Sequence, residues 1–246
     1  MLEIKKLNAK YEDKDNILEN INLSINKGEI HVLMGKNGSG KSTLLKAIAG
    51  DPEVNKSGDL FFNGKSLNDY DINEIANNGI FLSFQSPVVI EGVNNVQFIK
   101  QALEAKRNYL KLDKLNIGDF LVKIKSIMNK LNLDESFLNR NLNEGFSGGE
   151  KKKNEILQLL MLEPDLILLD EIDSGLDIDS IKIIANILNE YVKDSNKSLL
   201  IVTHYEKMLS YLNPDKVHII KNKSIVKTGG SELITLIHEK GFDYVN

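Results

Sequence analysis

An α/β fold built on a mixed, mainly parallel sheet is what this sequence predicts, and three stretches carry the prediction. Residues 29–34 read as a short buried strand that leads directly into the glycine-rich loop Gly35-Lys36-Asn37-Gly38-Ser39-Gly40-Lys41-Ser42. Residues 166–169 are wholly apolar and close on Asp170 and Glu171, and in the buried strand that starts at Ser198 residues 199–202 do the same before Thr203 and His204. Runs without alternation fit strands in the middle of a parallel sheet that is covered on both faces.

The elements follow in order. Leu2, Ile4 and Leu7 alternate with polar residues, which predicts a half-buried first strand with Tyr11 in the polar turn after it. Residues 17–25 alternate strongly, and Asn26-Lys27-Gly28 turns the chain into the run before the loop. Thr43 opens a helix that ends at Gly50. Residues 58–64 add another strand, so an antiparallel β layer is expected beside the loop. Residues 78–85 read as an apolar strand that ends in the polar side chain of Gln85, just ahead of Pro87.

From about 93 to 143 the apolar residues recur at helical spacing, among them Val96, Phe98, Ile99, Phe120, Ile124 and Leu131. This predicts a helical subdomain inserted into a single α/β domain spanning 1–246. Ser147 then caps a helix behind Gly148 and Gly149, and Lys151, Lys152 and Lys153 on that helix read as a basic patch or a solvated face. Residues 181–192 give an amphipathic helix. Strands at 217–220 and 225–226 and a closing helix complete the pattern.

Composition narrows the function classes. With 41% hydrophobic and 27% charged residues over 246 positions, the chain has the balance of a globular protein. A net charge of −4 gives no support to nucleic-acid binding. The absence of cysteine excludes thiolate chemistry and cluster ligation by this chain, and four scattered histidines have no zinc-ligand spacing. No apolar run approaches the ~20 residues that span a bilayer, so no direct membrane insertion is expected.

The loop from Gly35 to Ser42 fits G-x-x-x-x-G-K-[ST] between a strand and a helix, the context in which that motif cradles phosphates. Gly35, Asn37, Gly38, Ser39, Gly40, Lys41, Ser42 and Thr43 are the expected nucleotide-binding residues. Their backbone N–H groups and the helix N-terminus face an anion, Lys41 reaches the β- and γ-phosphates, and Ser42 holds Mg²⁺. Asp170 is placed to share that metal, and Glu171 to accept a proton from the attacking water. Gln85 at a strand end can ligate Mg²⁺ or position water, or simply face solvent. His204 at a strand end can hydrogen-bond a γ-phosphate or be structural. Tyr11 can stack on adenine or pack. Ser147, Gly148 and Gly149 make a second anion site at a helix start.

These motifs, in this order and spacing, resemble the ATPase domain of the ABC superfamily over essentially the whole chain. The resemblance implies hydrolysis of ATP with Mg²⁺ by a transient, ATP-dependent self-dimer. Each nucleotide would lie between one copy's phosphate loop and the other's Ser147-Gly148-Gly149. Within the superfamily, the chain is most similar to the SufC family of soluble ATPases that serve iron–sulfur cluster assembly. The residues that carry this are Phe84-Gln85-Ser86-Pro87-Val88-Val89-Ile90-Glu91-Gly92-Val93, Gly145-Phe146-Ser147-Gly148-Gly149-Glu150, Ile172-Asp173 after Glu171, and Thr203-His204-Tyr205. Transporter ATPases usually carry Pro-Thr after the catalytic Glu and Leu-Ser-Gly-Gly-Gln at the signature. The resemblance implies SufB and SufD scaffold proteins as partners, and a cytoplasmic location or, if a leader has been removed, the plastid stroma. An ATPase subunit of a membrane transporter is the alternative.

Overall fold

The computed structural model describes residues 1–12 and 15–244. A four-stranded antiparallel sheet in the order β2-β1-β4-β5 is made from β1 (Leu2–Tyr11), β2 (Leu18–Ile25), β4 (Val54–Phe62) and β5 (Lys65–Ser66). A six-stranded sheet in the order β12-β11-β3-β10-β9-β6 is made from β3 (Ile30–Met34), β6 (Ile80–Ser83), β9 (Leu166–Asp170), β10 (Ser198–Val202), β11 (Lys216–Lys221) and β12 (Ser224–Gly229). Every neighbouring pair in it is parallel except β11 with β12. The predicted α/β class, mixed sheet and antiparallel layer are borne out.

The three stretches are the strands whose every residue is buried, β3, β9 and β10, and His31, Asp170 and Ser198 are the polar residues buried in them. Their side chains alternate between two cores. Leu33, Leu166, Leu168, Leu200 and Val202 pack with Leu44, Leu45 and Ile48 of α1 (Lys41–Ala49) and with the inner face of the antiparallel sheet. Val32, Ile167, Leu169, Leu199 and Ile201 face the other way. There they meet α5 (Gly148–Leu162), α6 (Ile178–Asp194), α7 (Glu206–Tyr211) and α8 (Glu232–Lys240). Helix α1 is therefore held between the two sheets, which fixes the loop at its N-terminus.

The stretch predicted to be helical contains α3 (Asn95–Tyr109) and α4 (Ile117–Lys130), capped by Asn94 and Asn116. Its two ends are joined by the antiparallel pair β7 (Ile90–Asn94) and β8 (Asn141–Leu142). A short α2 (Ile72–Asn77), with an Asp71/Glu74 capping box, precedes β6 and was not legible from periodicity. Beneath the insertion lies a fully buried amide triad. Asn95 and Asn154 exchange hydrogen bonds of 2.8 and 3.2 Å, Asn154 Nδ2 donates to Asn143 Oδ1 at 3.0 Å, and Asn143 Nδ2 donates to Val88 O at 2.8 Å. Each amide in an apolar site needs such partners, so the triad fixes α3, α5 and the stretch after β6 relative to one another.

Two expectations need correction. Tyr11 is not in a turn: it ends β1, paired with Val54. Lys152 is not on a solvated face or patch. It is 4% exposed, because α5 packs that side against the chain leaving β6.

Candidate functional site

The phosphate loop, Asp170, His204 and Gln85 all follow the C-terminal ends of parallel strands, so the sheet delivers them to one edge. That edge is where open α/β sheets bind ligands. A cavity of about 430 Å³ opens there, lined by Ile17, Asn37, Gly38, Gly40, Lys41, Ser42, Thr43, Gln85 and Glu171.

The loop is tightly built. A Cβ at Gly35 would lie 2.6 Å from both Ile220 O and Ser39 Oγ. Gly40 has φ of 100°, where an L side chain is strained, and a Cβ there would lie 2.6 Å from Leu18 Cδ2. Lys41 Nζ donates to Gly35 O at 2.8 Å and to Lys36 O at 3.1 Å, closing the loop on itself. Burial pushes the Lys41 ammonium pKa down, and the nearby charges of Glu171 and Asp170 oppose this. Ser39 Oγ is buried without a partner.

Asp170 is 7% exposed, and its Oδ1 has no hydrogen-bond partner. Desolvation pushes its carboxyl pKa up, and a hydrogen bond with Ser42 holds it down. A buried, half-satisfied carboxylate beside a hydroxyl is a donor set that a cation would complete. Among the described residues no three His, Cys, Asp or Glu side chains form a metal cluster, so such a cation would rely on mixed oxygen donors and a phosphate. Mg²⁺ is bound in that manner.

Glu171 has φ of 49°, a left-handed conformation for a side chain bearing a Cβ. Strain of this kind concentrates at functional sites. Gln85 Nε2 donates to Glu171 Oε2 at 2.8 Å, so the glutamine orients the carboxylate. Asp173, two residues on, has its carboxyl pKa raised by burial and lowered by a bond with Thr203. His204 follows β10. Its Nε2 is buried and unpartnered, and burial and the Lys41 charge lower its pKa.

The predicted residues divide into three groups. Asn37, Gly38, Gly40, Lys41, Ser42, Thr43, Gln85 and Glu171 line the cavity; Gly35, Ser39, Asp170 and His204 stand behind or beside it. Tyr11 is not in the lining, and the aliphatic Ile17 is; Lys46 Nζ lies 5.8 Å from the Tyr11 ring centroid. Ser147, Gly148 and Gly149 are outside the lining, and Ser147 and Gly148 are exposed. Ser147 accepts from Glu150 N, and Glu150 accepts from Ser147 N at 2.7 Å, the reciprocal pair of a capping box.

Sequence reasoning missed the groups that steady this machinery. Lys152 Nζ donates to Phe84 O at 2.9 Å and Gln85 O at 3.0 Å and lies 3.4 Å from Glu155 Oε2. Arg140 stacks on Phe137 and Phe146, at 4.9 and 4.5 Å to the ring centroids. It also donates to Gly145 O at 2.8 Å, bracing the segment before Ser147. Two of the four histidines, His31 and His218, form a buried relay between β3 and β11. His31 binds Glu29 at 2.9 Å and His218 at 2.9 Å, and His218 binds Thr228 at 2.9 Å.

A strand–phosphate loop–helix unit with an acidic strand end beside it defines a P-loop nucleotide hydrolase. The chain belongs to the ABC transporter family, whose model matches residues 18–174, and it is an ATPase. It is 45% identical to "Probable ATP-dependent transporter ycf16" of Cyanophora paradoxa, over 100% of this chain and 95% of that protein. It is 44% identical to "Vegetative protein 296" of Bacillus subtilis, over 99% and 92%, and 42% identical to "ABC transporter I family member 6, chloroplastic" of Arabidopsis thaliana, over 100% and 73%. This full-length kinship bears out the SufC-type resemblance. The fold matches the dimeric structure of MJ0796, a bacterial ABC transporter cassette, at a TM-score of 0.81 and 22% identity, covering 94% of this chain and 98% of that one. Among the described residues no helix is long and apolar enough to cross a membrane.

Proposed function

We propose that this chain is the ATP-hydrolysing subunit of a Suf-type iron–sulfur cluster assembly complex, in which it binds SufB and SufD and works as an ATP-closed pair. The observation that carries this reading is a tether between the cavity and an exposed apolar surface. Phe84, Val88 and Val89 are 46%, 59% and 44% exposed, and they flank the Gln85 that bonds Glu171. Lys152 and Asn143 grip the carbonyls of the same stretch from beneath. A partner seated on that surface would feel a change at the cavity, and SufB and SufD are the partners that the signature residues imply.

In this reading the phosphate loop binds ATP, with Lys41 on the β- and γ-phosphates. Ser42 and Asp170 would hold Mg²⁺, with the Gln85 amide oxygen as a further donor, and the metal would supply charge neutralisation at the phosphate oxygens. Glu171, oriented by Gln85, orients or deprotonates the attacking water, and His204 hydrogen-bonds the γ-phosphate. Ser147, Gly148 and Gly149 lie outside the lining of their own cavity, which suits completion of a partner copy's site. The docking surface runs from Gln85 through the insertion at 93–143. Cytoplasm, or plastid stroma, is the compartment that fits.

Two experiments test this. Affinity purification of the chain from its native source, with mass spectrometry, should recover soluble SufB- and SufD-like proteins. An integral membrane protein instead would favour the transporter reading, which the names of the ycf16 and Arabidopsis relatives support. Mixing Lys41→Ala with Ser147→Arg protein should restore part of the hydrolysis that each lacks, since one composite site stays intact. Failure of the mixture to recover any rate would sink the paired arrangement.

A further inference from the structure

We propose that the C-terminal segment 232–243 is a positioning element for hydrolysis, with Phe242 setting the imidazole of His204 beside the nucleotide cavity. The inference rests on the reading of His204 as the γ-phosphate contact. His204 lies after the end of β10, in chain without helical or strand hydrogen bonding. Its backbone surroundings are steadied by the bond from Tyr205 N to Thr203 Oγ1 at 3.0 Å, which leaves the ring to be oriented by packing. The Phe242 ring meets it edge-on, at 5.9 Å between centroids and 89° between planes. Such a T-shaped contact fixes an aromatic plane without occupying a ring nitrogen, so Nε2 stays buried and free to bond a ligand.

Four further contacts hold Phe242 in that place. Leu233 and Ile237 of α8 are buried in the core beside Val217 and Ile219. His238 at the end of α8 is bonded to Glu206, two residues past His204. Beyond Phe242, Asp243 pairs with Lys36 of the phosphate loop at 2.7 Å, and Lys221 Nζ reaches Asp243 O at 3.4 Å. Phe242 and Asp243 thus touch, respectively, the histidine that would sense the last phosphate and the loop that grips phosphates. An arrangement that served packing alone would need neither an edge-on ring at His204 nor an ion pair to the loop.

The test is steady-state ATP hydrolysis and fluorescent-nucleotide binding by the full chain and four variants: Phe242→Ala, Phe242→Tyr, His204→Ala and the Phe242→Ala/His204→Ala double. Phe242 is only half-buried, and unchanged nucleotide affinity and thermal midpoint will verify that each variant is folded. Phe242→Ala should lower kcat by about 10- to 100-fold with KM unchanged, the scale of a misplaced catalytic group. Phe242→Tyr should restore the rate, and the double variant should be no slower than His204→Ala. A wild-type kcat in Phe242→Ala alongside an impaired His204→Ala overturns the positioning inference alone. Losses that multiply in the double variant overturn it too, because Phe242 would then act independently of His204. Full activity in His204→Ala would instead remove the reading on which the inference stands.

Discussion

Replacing Lys152 with methionine should be among the most damaging single changes outside the phosphate loop. The ammonium sits on α5, and the Lys152 and Glu155 side chains are 5% and 7% exposed. Methionine keeps the aliphatic stem and removes the charge, which leaves the Glu155 carboxylate buried with Phe84 N at 3.2 Å as a remaining donor. Breaking one partner out of a buried pair costs about 3–5 kcal/mol. Phe84 and Gln85 lie near solvent, so water can satisfy their freed carbonyls, and the low end of that range applies. With a urea slope of ~3 kcal/mol/M, the unfolding midpoint should fall by about 1 M. Adding Glu155→Leu removes the stranded charge, so the double variant should regain at least half of the loss. Burial already pushes the Glu155 carboxyl pKa up, and losing the Lys152 charge pushes it further. A carboxyl whose folded pKa is raised binds its proton more readily in the folded state, so the penalty should shrink as pH falls. The reasoning is refuted if Lys152→Met barely moves the midpoint, or if the double variant loses the sum of the two singles.

Three other outcomes follow from the geometry. Gly40→Ala should abolish fluorescent-ATP binding, since the new Cβ meets Leu18 in a backbone conformation that alanine avoids. Burial, reinforced by the neighbouring His31, holds His218 down to about 3, so the unfolded chain takes up a proton between pH 6.5 and 3 that the folded chain refuses. Stability is therefore full above pH 6.5 and falls with acid by up to about 1.4 kcal/mol per pH unit; urea melts across that range should show a flatter slope for His218→Gln. Arg140→Ala should slow hydrolysis by about 10-fold, by loosening the segment before Ser147, while ATP binding to the phosphate loop stays unchanged; a parallel loss of binding would count against this.

The sheet and the phosphate loop were legible because their signals are local. A buried parallel strand is apolar at nearly every position, as in 166–169 and 199–202, and a phosphate cradle must place its glycines, lysine and serine at fixed spacing. Asp170, Glu171 and His204 were found for the same reason, as polar residues at the ends of such runs. Lys152 was misread because the rule that lysines face water has no local exception. Its partners are backbone carbonyls 67 and 68 residues away in sequence, which carry no side-chain signature. The relay of His31 and His218 spans 187 residues and exists only because β3 and β11 are neighbours. Tyr11 was misplaced by one feature, its polar surroundings, when strand pairing with Val54 decided its place.

The three asparagines under the helical insertion bear on attempts to graft parts between cassettes. Asn95 comes from the insertion, Asn143 from its far end and Asn154 from the helix that follows, and Asn154 is hydrogen-bonded to both of the others. A chimera that brought in a foreign insertion without a matching residue at 154 would seal an orphaned amide in a dry interface. Transplants should therefore be cut so that 95–154 travels as one block. Exchange of partner specificity along this line would need the whole block, and point changes within it would act as breakages.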